Sequence, residues 1–138
     1  MATRAQVEAL LIRRTGKLLL KVGLDGTTVN GSNGDLNDPI GWGLRKLGVT
    51  PANPVAVADG DVAQVTRLDA LLDLAELRTL ENILGNLDLV TAEVGPRKEE
   101  FNDLARRLAQ MIPRKREQVE AEHDLALGEL KPAQFKVF

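Results

Sequence analysis

Apolar residues recur at helical spacing in several stretches of this chain, with turn signals between them. In the first stretch Val7, Leu10, Leu11, Leu18 and Val22 form a stripe, and Arg13, Arg14, Lys17 and Lys21 sit mostly off it. Thr3 followed by Gln6 is a capping-box pattern, and Gly23 is a natural stop. The spacing predicts a helix from about Arg4 to Val22, with Gly16 as a weak point inside it. Asp25 to Asp38, "DGTTVNGSNGDLND", is rich in Asn, Asp and Gly, which accept left-handed backbone and local side-chain bonds. Leu24–Asn37 therefore reads as a loop, long enough to suggest a binding or packing role. Asp38 then Pro39 reads as an N-cap followed by proline at the first helical position. A short helix, Pro39–Leu47, follows on the stripe Ile40, Leu44 and Leu47, and Gly48 ends it. Gly41 and Gly43 flank the only tryptophan, Trp42. Each glycine costs up to ~1 kcal/mol in a helix, so their presence predicts close approach by a neighbouring element.

Val49–Ala58 holds two prolines and reads as an extended connector, with "NPVAVAD" the only strand candidate. Asp59 or Asp61 would cap a short turn after it. The strongest helical segment is Thr66 to about Leu87, where Leu68, Leu72, Ala75 and Leu80 cover one side and Leu71, Leu74, Leu77 and Leu84 cover more. So wide an apolar surface predicts a central helix contacted by several neighbours, with Gly85-Asn86 as its fraying end. A further helix starts at Pro96 and carries Phe101, Leu104, Leu108, Met111 and Ile112; Pro113 is expected to break or kink it. The helical stretch beyond is mostly polar, offers Val119, Ala121, Leu125, Ala126 and Leu127 for packing, and ends at Gly128. It is expected to lean on another chain. The fold class that emerges is all-α: a small helical bundle around one long central helix, with an extended C-terminal helix and tail. The organisation divides into residues 1–112, a helical domain, and 113–138, a helix and docking tail.

Composition narrows the chemistry. The chain has 138 residues, enough for one domain with a real core. Aromatics are 3% of residues, so the core falls to Leu, Val, Ile and Ala. Cysteine is absent from the sequence, which removes disulfides and thiolate metal sites and suits a reducing compartment. A net charge of −2 argues against a domain built mainly to grip a phosphate backbone. No apolar run approaches the ~20 residues of a membrane span. The first residues do not read as a secretory signal.

Candidate catalytic groups are sparse. Ser32 and His123 are each the only residue of their kind, and no motif joins them. Glu120 and His123 make a single Glu-x-x-His pair, whereas di-iron bundles use two with two further glutamates. Asn33, Asp35 and Asn37 hint at a calcium loop, but Asp38 and Leu44 stand where that loop needs Gly and Glu. Asx-turns and a helix cap explain these residues. No enzymatic activity and no cofactor or metal is expected. The basic run Arg114, Lys115 and Arg116 is expected to make surface or interchain ion pairs, with a nucleic-acid path as the alternative. In "QFKVF" the alternation of Phe135, Lys136, Val137 and Phe138 is strand-like and fits a docking peptide.

The capped first helix, then "GLDGTTVNGSNGDLNDPIGWGLRKLG", "LLDLAELRTLENIL" and "VGPRKEEFNDLARRLAQMI", resemble the small all-helical head–tail connector (adaptor) proteins of tailed bacteriophages. The resemblance covers about Thr3 to Ile112. It implies a structural virion protein, assembled in the host bacterial cytoplasm, that forms a ring, usually of twelve copies, beneath the portal. Such a ring continues the DNA channel toward the tail, contacts the portal protein and the next neck or tail-completion protein, and lets DNA pass without sequence-specific binding. Membranes play no part. The resemblance carries a reach into the portal or a neighbouring subunit onto Lys131 to Phe138, including Phe135, Val137 and Phe138; Trp42, Arg114, Lys115 and Arg116 are expected partner-binding residues on the reading of the residues themselves. The alternative is a small helical nucleic-acid-binding regulator using Arg13, Arg14, Lys17 and Lys21, or the basic run at 114–116.

Overall fold

A computed structural model describes residues 2–91 and 98–127. Its elements are α1 (Arg4–Lys21), a 3-10 turn (Gly34–Leu36), α2 (Asn37–Lys46), α3 (Asp59–Ala63), α4 (Leu68–Thr91) and α5 (Lys98–His123). Among the described residues there is no strand, and the chain is an all-α bundle. α4 is the central element, packed against α1, α2 and α5. Leu71, Leu74, Leu77, Ile83 and Leu87 of α4 are fully buried, which accounts for the wide apolar surface seen in its sequence.

α1 starts on the expected capping box: Gln6 N–H donates to Thr3 Oγ1, and Thr3 N–H donates to Gln6 Oε1. It stops on a Schellman motif, with Gly23 at φ +79 and Leu24 N–H donating to Leu19 O at 2.9 Å. α2 ends the same way, with Gly48 at φ +87 and Val49 N–H donating to Leu44 O at 2.9 Å. Its start differs from the expected one. Asn33 caps the 3-10 turn by accepting from Asp35 and Leu36 N–H, and that turn runs directly into α2 at Asn37. Asp38 is thereby released from capping and reaches α4 instead, accepting from Arg78 Nε at 2.9 Å and Asn82 Nδ2 at 2.8 Å.

Of the two glycines beside Trp42, Gly43 has the predicted reason, while a Cβ on Gly41 would meet nothing nearer than Val57 Cγ2 at 3.5 Å. A Cβ on Gly43 would lie 2.9 Å from Leu71 Cδ1, so α2 rests on α4 with almost no gap. Gly16 has a similar one: α1 is crossed there by the loop at Gly26, and a Cβ on Gly16 would lie 2.8 Å from Gly26 O.

Three further expectations change. "NPVAVAD" is a turn, not a strand: Asn53 Oδ1 accepts from Val55 N–H, and Asp61 reaches back to Ala58 N–H at 3.0 Å to start α3. α4 runs through Gly85-Asn86 to Thr91, because Asn86 Nδ2 donates to Val22 O and ties the helix to the end of α1. Gly85 itself meets nothing within 4 Å of an added Cβ. Gly85→Ala is therefore expected to raise stability by ~0.5–1 kcal/mol, read as a higher midpoint in urea.

The third change concerns α5, a single helix through Pro113 rather than one broken there. Pro113 is exposed, while Leu108, Ile112, Arg116, Val119 and His123 on either side of it are buried. Packing on both flanks outweighs one lost backbone bond. Within the chain, the polar half of α5 leans on α4 through Arg116, Val119 and His123. It ends at His123 rather than Gly128, since Asp124 takes a left-handed conformation (φ 52) and Leu125 N–H donates to Glu120 O. The segment 128–138 lies outside the described residues.

Candidate functional site

Two polar networks dominate the described residues, and the first sits on a helix face that an apolar stripe would otherwise occupy. The first fixes the long loop. Arg4 and Glu8 lie one turn apart on the buried face of α1, with Arg4 3% and Glu8 0% exposed. Arg4 Nε donates to Glu8 Oε2 at 2.9 Å. Glu8 also accepts from Gly31 N–H at 2.7 Å and Asn33 N–H at 2.9 Å. The Arg4 guanidinium continues to Asn37 Oδ1, Val57 O and Asn33 O. Asp59 Oδ1 accepts from Arg4 N–H at 2.8 Å. One buried ion pair thus gathers the loop, the start of α2 and the connector before α3. Asn33, Asp35 and Asn37 are spent inside this arrangement. Asn33 Nδ2 donates to Asp25 O and Thr28 O, Asp35 accepts from Asp25 N–H, and Asn37 accepts from Arg4 and Val57 N–H. Asp25 closes the near end of the loop; hydrogen bonds from Thr28 and Thr27 hold its carboxyl below the usual range.

The second network ties α1, α4 and α5 together. Arg14 bridges Asp73 Oδ1 at 3.1 Å and Glu76 Oε1 at 2.9 Å. Lys115 Nζ lies 3.3 Å from Glu76. His123 Nε2 donates to Asp73 Oδ2 at 2.7 Å, and His123 is 6% exposed. Partial burial pushes the Asp73 carboxyl up, but hydrogen bonds from His123 and Arg14 and the charge of Lys115 outweigh it and leave it lowered. Burial likewise opposes the charged form of Arg14, and its two carboxylate partners overcome that and raise it. Further along α4, Arg116 Nη1 meets Glu81 Oε2 at 3.0 Å; just before α4 begins, Arg67 donates to His123 O at 2.7 Å.

These contacts place the residues singled out from sequence. Lys115 and Arg116 turn inward and bridge to α4 within the chain; only Arg114 of that run is exposed. The reason is register: Ile112, Arg116, Val119 and His123 recur at helical spacing, so Arg116 and His123 occupy stripe positions. Glu120 does not pair with His123; its Oε2 accepts from Leu127 N–H at 2.9 Å. Ser32 is exposed on the loop beside Glu8. Trp42 is half-buried, with Lys46 Nζ 5.5 Å and the Arg78 guanidinium carbon 5.6 Å from its ring centroid. Next to it, Asp35, Asp38, Arg78, Glu81, Asn82 and Asn86 line an open polar groove of ≈ 550 Å³. Lys131, Phe135, Val137 and Phe138 lie outside the described residues.

Asp38, at the edge of this groove, gives a pH signature. Burial raises its carboxyl, but hydrogen bonds from Arg78 and Asn82 and the charge of Arg78 outweigh that and hold it below its ordinary 3.8. A carboxyl lowered in the folded state contributes stability that is present above its unfolded value and lost as pH falls through the folded one. Asp38→Asn is expected to cost no more than ~1 kcal/mol at pH 7, because the pair is half in solvent. The gap between the two proteins should close below pH 3.8, in thermal melts across pH 2–7.

No helix among the described residues is long and apolar enough to cross a membrane. Comparison with protein-family models, curated proteins and solved structures finds no match to this chain.

Proposed function

We propose that this chain is a structural protein of a tailed-bacteriophage virion, an adaptor whose copies form a ring between portal and tail. The observation that carries the reading is how its ionisable side chains are used. Arg14, Asp73, Glu76, Arg78, Glu81, Lys115, Arg116 and His123 serve as tethers between helices. The resemblance of "GLDGTTVNGSNGDLNDPIGWGLRKLG" and the segments after it to the adaptor family supports the same role. Across the ring, the outer face of α5, with Arg106, Arg107, Arg114 and the 42% exposed Met111, would meet a neighbouring copy. Contacts of this kind are heterologous and close into a ring when the rotation allows. In this reading Trp42 and the segment from Lys131 to Phe138 contact the portal or an adjacent subunit. A further neck or tail-completion protein sits below, and DNA slides through the lumen with no chemistry performed on it. Light scattering of the protein, alone and mixed with the portal protein of the same phage, tests this. A mass of several chains, in either sample, is expected; a strict monomer in both overturns it.

One observation favours the second reading, a nucleic-acid-binding regulator. Arg13, Lys17 and Lys21 lie exposed at i, i+4 and i+8 on α1 and make no ion pair among the described residues. Arg14, which their sequence neighbourhood includes, is tied to α4 instead. A gel shift with duplex DNA over a range of salt separates the two. Binding through this row would weaken with salt at a slope set by about three phosphate contacts, and the adaptor reading expects no stable shift.

A further inference from the structure

Beyond the adaptor reading, and independent of it, the geometry points to a site for a first-row divalent cation of the zinc type, held by Asp73, Glu122 and His123. α4 supplies the first of these residues and the last turn of α5 supplies the other two. One ligand atom from each lies within 4.8 Å of the others. Zinc binds imidazole nitrogen at about 2.0–2.1 Å and carboxylate oxygen at about 2.0–2.2 Å, so tetrahedral ligand atoms stand roughly 3.3 Å apart. The two separations from His123 Nε2, 2.7 Å to Asp73 Oδ2 and 4.0 Å to Glu122 Oε2, fall on either side of that distance. The third separation, Asp73 to Glu122, is within 4.8 Å, so a bound ion would require side-chain rotations that draw Glu122 inward.

The surroundings fit an ion. Arg14 holds the other oxygen of Asp73, Oδ1, at 3.1 Å, which fixes the carboxylate with Oδ2 toward the imidazole. Such outer contacts orient metal ligands. Around the trio, Asp73, Glu76 and Glu122 are matched by Arg14, Lys115 and Arg67, the last held on His123 O, so an ion would draw on the two carboxylates nearest the imidazole. The ion takes the place of the Nε2 proton, which leaves to solvent, so the hydrogen bond that joins α4 to α5 becomes a metal bridge across the same gap. His123 is buried while the Glu122 side chain is 52% exposed, so one side of the site is open to solvent and to a fourth ligand, a water. One imidazole with two carboxylates suits zinc; calcium and magnesium take oxygen shells.

Titration calorimetry of the full chain with Zn²⁺, after chelator treatment, tests the site, with Co²⁺ absorption in the visible as the report on coordination geometry. The expected result is saturable binding of one ion per chain and a tetrahedral Co²⁺ spectrum. His123→Gln should weaken binding more than ~100-fold, since changes to outer-shell partners alone cost ~10–100-fold. Glu122→Gln keeps the fold testable if the His123 variant fails to fold, because Glu122 is exposed and its hydrogen bond is to Gln118 one turn back. It should lose at least ~10-fold. Glu117→Gln, exposed on α5 and outside the trio, should bind as the unaltered chain does. Absence of saturable Zn²⁺ binding overturns the site, as does an unchanged isotherm in the Glu122 variant.

Discussion

Glu8→Ala is expected to lower stability by roughly 3–5 kcal/mol, the cost of leaving a buried charge without its partner. That is a large share of what holds a single domain folded. The reason is the position of the carboxylate. It is fully buried, it faces the equally buried Arg4 guanidinium, and it accepts the backbone N–H groups of Gly31 and Asn33. Removing it strands one charge and two amide donors. Urea denaturation reads the loss, and hydrogen exchange locates it: the Gly31 and Asn33 amides should lose protection while those in the middle of α4 keep more of it. A double replacement, Arg4→Met with Glu8→Leu, separates two accounts. An ordinary buried ion pair can be exchanged for apolar residues at little cost. Here the double variant should stay well below the unaltered protein, because the loop amides still lack an acceptor. Recovery to full stability would show that the loop does not depend on Glu8.

Gly26→Ala is the second large effect, about 1–3 kcal/mol from overpacking. A Cβ at Gly26 would overlap the carbonyl of Gly16, and Gly16 Cα and C are also within about 3 Å of it, at 3.1 and 3.0 Å. These are backbone atoms inside α1, so no rotamer change relieves the clash. The loop must lift away from the helix, and the Asp25 and Asn33 hydrogen bonds near the crossing should weaken with it. Thermal melts measure the cost. Gly31→Ala is the contrast: its φ of +83 strains any side chain, but no atom waits there within 4 Å of the added Cβ, so its penalty comes from backbone strain alone.

The long loop shows why the local sequence was readable while its tertiary role was not. Asn, Asp and Gly announce a turn-rich segment, and Asn33 does cap the 3-10 turn as such residues do. Nothing local says that Glu8, twenty-three residues earlier, receives Gly31 N–H. The one available signal is periodicity. Arg4 and Glu8 fall in register with Val7, Leu11, Thr15 and Leu19 on the buried face of α1. Arg116 and His123 likewise fall in register with Ile112 and Val119 on α5. A charged residue at a stripe position must find a partner on folding, since burying it alone is costly. Counting only apolar residues hid both pairs and made the second half of α5 look unsupported. The basic run at 114–116 divides for a related reason: adjacent residues on a helix point about 100° apart, so Lys115 and Arg116 pair with α4 while Arg114 stays exposed.

By itself the sequence determined the all-α class, the central place of α4, the capping box at Thr3 and the stops at Gly23 and Gly48. Each rests on a local rule: apolar period, a side chain reaching three residues along, or a backbone angle that glycine takes freely. Tertiary structure alone decided the third stop, where Asp124 adopts the left-handed angle at the end of α5 and no glycine marks it. It also decided that α5 continues past Pro113, that Asp38 serves α4 rather than its own helix, and that His123 meets Asp73 rather than Glu120. In each of these cases the local preference is worth about a kilocalorie or a few, while the packing and hydrogen bonds gained across helices are worth as much or more. Those partners lie far apart along the chain, and only the folded arrangement of α1, α4 and α5 brings them together.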